Sequence, residues 1–456
     1  MTLYSLRSKP WLVLACAIAL LSTACGNRLS RSEILAQNIV SDGGAAATRS
    51  AGSASGSNTG TAADASGTGA GGNAAVPAGG SGGAGAGTDQ AAAGGATKQP
   101  IVIGLIGWLS GLGGSTLNPA RDSWVAWQRS VNERGGINGH PVELLIGDDG
   151  GNPSVAVSLA QDFVNKGAIA LTSVDAAIAY GDYAQSNSIP VIGTITGTEA
   201  WEQNPMLFPP FPATQSASWG AARLMKRAGF TKVAYMYCAE TQDCKTGETR
   251  FSKWASEEGL ELVYSGQYSV IAPDYTSDCL QLQQRGAQAV MPVGDAASMI
   301  RMAQNCSRQG YKPVWVTPTA TDQLAKIPEF EGAIGVTGAF PWFVRSGAPA
   351  IDEYVAALQT YAPDRLTNGV SYQAWGWQSA KLLEAALANV SDQPTSQDVL
   401  NGLWAMQGET LGGLAPGGMA LTFTANQPTA DPLCVFDIRI QGGSWVLHGG
   451  LTPICK

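Results

Sequence analysis

From Ile101 onward the chain alternates short apolar runs with stretches in which apolar positions recur every three to four residues. The first run, Ile101–Gly107, lacks any polar residue, which is the pattern of a strand buried on both faces. A helical spacing follows over Asn118–Arg134, with Trp124, Val125 and Trp127 among its apolar positions. Val142–Ile146, Ala168–Leu171 and Ile189–Ile192 then read as strands, with Pro153–Asn165 and Ala176–Ser186 as the helices between them. Strands alternating with helices predict a parallel sheet with helices on both faces. The rhythm pauses at the proline-rich Met206–Ala213 and restarts. Helices are predicted over Gln215–Arg227, Gly247–Glu258, Tyr275–Gln284 and Ala296–Arg308, and strands over Val233–Tyr237, Leu260–Tyr264, Ala287–Val293 and Val314–Thr317. The chain therefore holds two α/β units of similar size. Helical patterns near Ala350–Tyr361, Tyr372–Leu387 and Ser396–Met406 have no strands of their own, which suggests a return to cover the first unit. A β-rich tail follows, over Met419–Phe423, Leu433–Ile440 and Trp445–His448, the last two joined by Gly442-Gly443.

The N-terminal hundred residues follow another pattern. Arg7 and Lys9 precede an uncharged apolar run, Trp11–Leu21. Eleven helical residues rise only about 16 Å, too short for a bilayer but fitting the apolar segment of a signal peptide. The run ends in Leu21-Ser22-Thr23-Ala24-Cys25-Gly26, which resembles a bacterial lipobox. It departs from that motif at Ser22, where an apolar residue is usual; ordinary secretory cleavage beside an incidental Cys is the other reading. Residues 1–24 are thus expected to be a signal peptide and Cys25 a lipidated N-terminus. Between Gly43 and Lys98, 17 of 56 residues are Gly, and Val76 is the only larger aliphatic. Such a stretch buries too little apolar surface to offset its ordering entropy, so residues 25–99 read as anchor and disordered linker. A coil of about 74 residues reaches roughly 50 Å, enough to hold a folded body away from a membrane.

Charge narrows the partners. The 456 residues carry a net −8, and loss of the first 24 removes two bases and no acids. No basic stripe is visible, which argues against a nucleic-acid partner and against a polybasic lipid contact. Two histidines in the whole chain leave little scope for His-ligated metal or His-based acid–base catalysis. Once Cys16 leaves and Cys25 is lipidated, six cysteines remain, an even number that reads as three disulfides in an exported chain. Fifteen pairings are possible. The sequential set, Cys238–Cys244, Cys279–Cys306 and Cys434–Cys455, is the expected one, because each neighbouring pair brackets one turn, strand or hairpin. A zinc site is disfavoured by the lack of a C-x-x-C pair or a nearby His.

A family resemblance rests on specific residues. Gly107-Trp108-Leu109-Ser110-Gly111 follows the first strand, and Asn132-Glu133-Arg134-Gly135-Gly136-Ile137-Asn138-Gly139-His140-Pro141 follows the first helix. Asp148-Asp149 precede Asn152-Pro153, and Ile189-Pro190-Val191-Ile192 leads into a Thr-rich turn. In this order, over about residues 100–456, these segments resemble the leucine/isoleucine/valine-binding proteins that serve ABC importers. The resemblance implies an α/β fold of the type I periplasmic-binding class: two doubly wound parallel-sheet lobes joined by three crossovers and closing on a small molecule. The crossovers are expected near Phe211–Ala213, Thr337–Phe340 and Leu421–Thr424, giving lobe 1 as 100–212 with 340–422 and lobe 2 as 213–339 with 423–456. It further implies a small-molecule ligand, an ABC permease as partner and a monomeric chain, with no cofactor.

Loops at the carboxyl ends of parallel strands converge on the crevice between such lobes, so strand-end residues are the binding candidates. On lobe 1 these are Ser110, Gly111, Asp175, Ala176, Thr194, Thr196 and Thr198. Each hydroxyl has two readings, ligand contact or helix cap. On lobe 2 they are Asp243, Asp295 and Thr319, with Glu240 beside Asp243; a solvated surface acid or an N-cap is the alternative for each carboxylate. The turns Gly294-Asp295-Ala296-Ala297 and Thr317-Pro318-Thr319 lack the aromatic residues common in amino-acid binders, which points to a more polar or differently shaped ligand. Trp108 reads either as a floor to the crevice or as core.

Catalytic motifs are missing. Gly111-Leu112-Gly113-Gly114 fails the dinucleotide pattern because Thr116 stands where the third Gly belongs, and no P-loop Lys follows. His140 and His448 have no nucleophile in a recognisable motif, and Asp148-Asp149 point to different sides of a strand end, the second placed to cap a helix. The expected function is capture of a small polar organic molecule, such as an amino acid or amide, for an importer. A ligand sensor or envelope scaffold with the same fold is the alternative.

Overall fold

The computed structural model describes residues 98–174, 178–194, 198–212, 214–240 and 242–456. The expected signal peptide, Cys25 and nearly all of the linker lie outside them. The first sheet contains β1 (Ile101–Gly107), β2 (Val142–Asp148), β3 (Ala170–Val174), β4 (Val191–Gly193) and β5 (Leu207–Phe208) in the order β2-β1-β3-β4-β5, every pair parallel. Its connecting helices are α1 (Gly111–Glu133), α2 (Pro153–Asn165), α3 (Gly181–Ser186) and α4 (Ala200–Gln203).

The second sheet repeats that topology. β6 (Lys232–Cys238), β7 (Glu261–Tyr268), β8 (Ala289–Val293), β9 (Val314–Thr317) and β10 (Ile334–Thr337) lie in the order β7-β6-β8-β9-β10, all parallel. Their helices are α5 (Thr214–Arg227), α6 (Gln242–Glu257), α7 (Thr276–Gln284), α8 (Ala296–Arg308) and the short α9 (Asp322–Ala325). After β10 come α10 (Pro349–Tyr361), α11 (Ser371–Ala386) and α12 (Ser396–Trp404), then a small antiparallel pair, β11 (Gln407–Glu409) with β12 (Leu421–Thr422). The tail returns to the second sheet: β13 (Cys434–Gln441) lies antiparallel to β10, and β14 (Ser444–Leu447) and β15 (Ile454–Cys455) pair with β13. The fold is thus the doubly wound α/β class that the pattern implied.

The helices after β10 pack on the first sheet's helical layer. Gly376 of α11 lies so close to α1 that a Cβ would sit 2.3 Å from the Ala120 carbonyl oxygen. The Trp127 indole of α1 donates to Glu384 of α11 at 2.8 Å, and Arg134 pairs with the same carboxylate at 3.2 Å. Trp124, Trp127 and Trp377 are buried at this junction.

Several elements begin where local chemistry places them. Asn152 caps α2 by accepting from Ser154 N at 3.0 Å, with Pro153 at the first helical position. Asp149, expected as the cap, instead accepts from Gly151 N at 2.7 Å in the preceding turn. The segment after α1 owes its turn to glycine: Gly136 has φ +78°, and a Cβ there would meet the His140 carbonyl oxygen at 2.0 Å. Two departures from the predicted elements are informative. α1 begins at Gly111, seven residues before the predicted start, because Gly113 and Gly114 serve close packing inside the helix; Cβ atoms there would meet the Trp108 ring and the Leu109 carbonyl oxygen, each at 2.5 Å. β10 is a four-residue central strand, fully buried, that the pattern did not reveal.

Three disulfides join Cys238 to Cys244, Cys279 to Cys306, and Cys434 to Cys455, the sequential set. The second ties α7 to α8 and the third ties β13 to β15.

The chain passes between the two lobes three times, between β5 and α5, between β10 and α10, and between β12 and β13. The buried Gln378 of α11 clamps two of these crossings, donating to Pro210 O at 2.7 Å and accepting from Phe340 N at 3.3 Å. Gly338 approaches so closely that a Cβ would lie 2.3 Å from the Pro212 carbonyl oxygen.

Candidate functional site

The carboxyl ends of β1 and β2 carry the first cluster. Leu109 N and Gly150 N donate to Asp148 Oδ1 at 2.9 and 3.0 Å. The Ser110 hydroxyl beside this exposed carboxylate is the main cause holding Asp148 below its usual range. Ser110 occupies the N-cap position of α1, yet its side chain accepts no helix N–H. Its hydroxyl is engaged with Asp148 rather than spent as a cap. Gly111, at φ +58°, is exposed with open space where a Cβ would be. Next door, Asp149 is 4% exposed, and burial pushes its carboxyl up against the bond from Gly151. Trp108 packs over Gly113 and Gly151 with part of its ring still open.

Thr194, at the end of β4, is not a surface contact. It is fully buried; its hydroxyl receives the Trp124 indole N–H at 3.0 Å and lies 3.3 Å from Thr172 Oγ1. This expectation is corrected: the hydroxyl anchors α1 to the sheet. Thr198 stands in the turn leading to α4, and Thr196, Asp175 and Ala176 lie outside the described residues.

On the second lobe, Asp295 caps α8, its Oδ1 accepting from Ser298 N at 3.0 Å. Of the two readings, the cap is the one in place. Glu240 is tied back to Ser269 Oγ at 2.7 Å and Val270 N at 2.9 Å, and Asp243 falls in the first turn of α6. Thr319, after β9, is 6% exposed, with its hydroxyl 3.3 Å from the Tyr372 hydroxyl. That contact crosses between the lobes, because Tyr372 lies on α11. Around it the lobes are stitched by Ser371 N to Ala320 O at 2.9 Å and Asp322 N to Gly369 O at 2.8 Å. On another part of the seam, Glu199 faces Arg250 at 3.8 Å, and Gln215 donates to Glu202 at 3.3 Å, where burial raises the Glu202 carboxyl.

The structure therefore brings Ser110 and Gly111 together at one strand end and sets Thr319 at the seam, while Thr194 withdraws into the core. It adds residues the strand-end rule missed. Tyr372 and Trp375 meet edge to face at 4.6 Å, and Trp375 lies 5.4 Å from Phe211 of the first crossing. Their spacing of three on a helix reads as ordinary core from sequence; only the return of α11 onto the first lobe, with its N-terminus against the loop after β9, places them at the seam. Among the described residues no group of three or more His, Cys, Asp or Glu is positioned to hold a metal, and no helix is long and apolar enough to cross a membrane.

Comparison with known proteins agrees with this architecture. The family model described as "Periplasmic binding protein" matches residues 100–443. A branched chain amino acid ABC transporter structure from Thermus thermophilus with bound valine is 17% identical, covering 79% of this chain and 97% of that one with a TM-score of 0.71. A fatty acid ABC transporter substrate-binding protein from Thermomonospora curvata is 18% identical over 77% of this chain and 91% of its own, at 0.64. A solute binding protein of an ABC transporter from R. palustris, in complex with benzoate, is 15% identical over 78% and 97%, at 0.62. No curated protein matches the sequence. Such identities establish a shared fold, and the family match extends over most of the length; the chain belongs to the periplasmic binding protein family, with the type I fold.

Proposed function

We propose that this chain is an extracytoplasmic solute-binding lipoprotein that captures a small polar organic molecule between its lobes and delivers it to an ABC importer. The observation that carries the reading is the family match over two sheets whose five parallel strands run in the same order, in lobes that meet at Thr319–Tyr372. Lobe 1 is taken as 100–212 with 340–422 and lobe 2 as 213–339 with 423–456. Ser110 and Gly111 offer a hydroxyl and an open backbone on one side; Thr319 offers a hydroxyl on the other. The charged N-terminus, short apolar run and Cys25 supply export and a lipid anchor, and the linker supplies reach. Structural neighbours that carry valine, benzoate or fatty acid by name indicate how broad a ligand range one fold accommodates.

Thermal shift across amino acids, amides, polyols and aromatic acids tests the reading. A true ligand at a hundredfold excess over its Kd stabilises by about 2.7 kcal/mol, a rise of several degrees. Ser110→Ala should reduce that rise while leaving the unliganded melting temperature within a degree or so. If no solute class moves the native protein, capture is wrong and the envelope-scaffold role replaces it. Cys25→Ser should release the protein from membranes; retention there would remove the anchor from the proposal.

A further inference from the structure

The helix α11 presents one face to both lobes. Tyr372 reaches the Thr319 hydroxyl at the end of β9, and Ser379, seven residues on, bonds the Gly193 carbonyl at the end of β4. Trp375 lies between them on that face, since residues three and four apart share one side of a helix. It is therefore set between the carboxyl ends of a strand from each sheet, against Phe211 of the first crossing. Trp377, two positions on, turns into the core and is 1% exposed, whereas the Trp375 ring stays partly open. The indole N–H groups of both Trp375 and Trp377 are shut off from solvent and donate to nothing, but only the Trp375 ring is partly exposed. A buried donor without a partner is destabilising, and a ligand acceptor would relieve that cost.

Resting on the crevice reading above, we propose that Trp375 is a ligand-contacting and specificity-determining residue at the crevice floor. When the lobes part, its indole N–H, covered in this structure, is freed to donate to a carboxylate or carbonyl oxygen, and the rings of Trp375, Tyr372 and Phe211 pack the flat unsaturated body that carries it. The Trp375 ring, in contact with Tyr372 at 4.6 Å and with Phe211 at 5.4 Å, forms with them a set of edges and faces suited to a planar partner. An aliphatic amino acid would leave these rings with poorer contact. The ligand class is a flat unsaturated carboxylic acid or its amide.

Calorimetry with trans-cinnamate, cinnamamide and L-leucine tests this on the mature chain. Cinnamate or its amide should bind and L-leucine should bind at least tenfold more weakly. Trp375→Phe keeps a ring and loses the N–H, so it should weaken cinnamate about tenfold or more, equivalent to about 1.4 kcal/mol. In the wild type labelled with 15N-Trp, one indole N–H resonance should move downfield on adding cinnamate, and that resonance should be the one missing from Trp375→Phe. Trp375→Tyr gives a second variant should the first not fold. Tight L-leucine binding with no effect of Trp375→Phe would overturn the inference and leave crevice binding intact. Absence of binding by cinnamate and its amide overturns it as well, and the wider solute panel then decides whether crevice capture falls with it.

Discussion

Asp149 and Thr194 show how side chains near strand ends divide between interior and surface. Folding buries the Asp149 carboxyl, raising it from its ordinary 3.8, so it holds its proton more tightly folded than unfolded. A raised folded value gives a contribution that is fully present below the unfolded value and lost as pH rises through the folded one. Asp149→Asn keeps an acceptor for Gly151 and removes the ionisation. Its melting temperature relative to wild type should rise from acid to neutral pH, with the gain disappearing below the ordinary carboxylate range; a pH-independent difference would contradict this. Thr194→Val strips the partner from the buried Trp124 indole, with an expected loss of about 1–3 kcal/mol in urea unfolding. Ligand affinity should stay unchanged, because the hydroxyl faces the core. A weakened affinity at unchanged stability would return Thr194 to the binding surface.

Elements were legible where hydrophobic pattern and local chemistry agreed. The predicted bounds of α2, α8 and β9 coincide with those observed; the first two are set by caps at Asn152 and Asp295. Pattern failed at the start of α1, where a run of glycines reads as a turn although their missing side chains allow Trp108 and Leu109 to approach the helix. It failed at β10 because four residues, interrupted by Gly335 and ended by Gly338, give no period to count. Candidate site residues were legible only as far as a strand end exposes them: Ser110 and Gly111 stand at such an end, Thr194 is sealed, and the proposed Trp375 belongs to a helix more than 250 positions away in sequence. The Gly135–Pro141 turn offers a test at this scale. In Gly136→Ala a Cβ must enter at φ +78° and 2.0 Å from the His140 carbonyl oxygen, which is backbone and cannot yield cheaply. The expected cost is about 2–4 kcal/mol, a large effect for one methyl group. A change below about 0.5 kcal/mol would show that the turn rearranges freely.

For the whole molecule, two sheets of the same strand order act as one binding device only if the crossings between them move together. Gln378 is placed to enforce this, since one buried amide holds Pro210 of the first crossing and Phe340 of the second. Gln378→Leu preserves approximate volume but leaves a carbonyl and an N–H without partners, at about 1–3 kcal/mol each. The ligand-free chain should therefore unfold at lower urea concentration and, with its crossings uncoupled, sample a wider range of lobe angles. A broader ligand-free distribution leaves a smaller fraction competent to close, and apparent affinity falls in proportion to that fraction. X-ray scattering should record a larger ligand-free radius of gyration in the variant and a similar ligand-bound value in both proteins. Calorimetry should record a weaker apparent Kd although no ligand contact has changed. Reduced stability with unaltered affinity and scattering would mean that Gln378 serves the core alone, and that the hinge is governed by other contacts across the crossings, such as the close approach of Gly338 to Pro212.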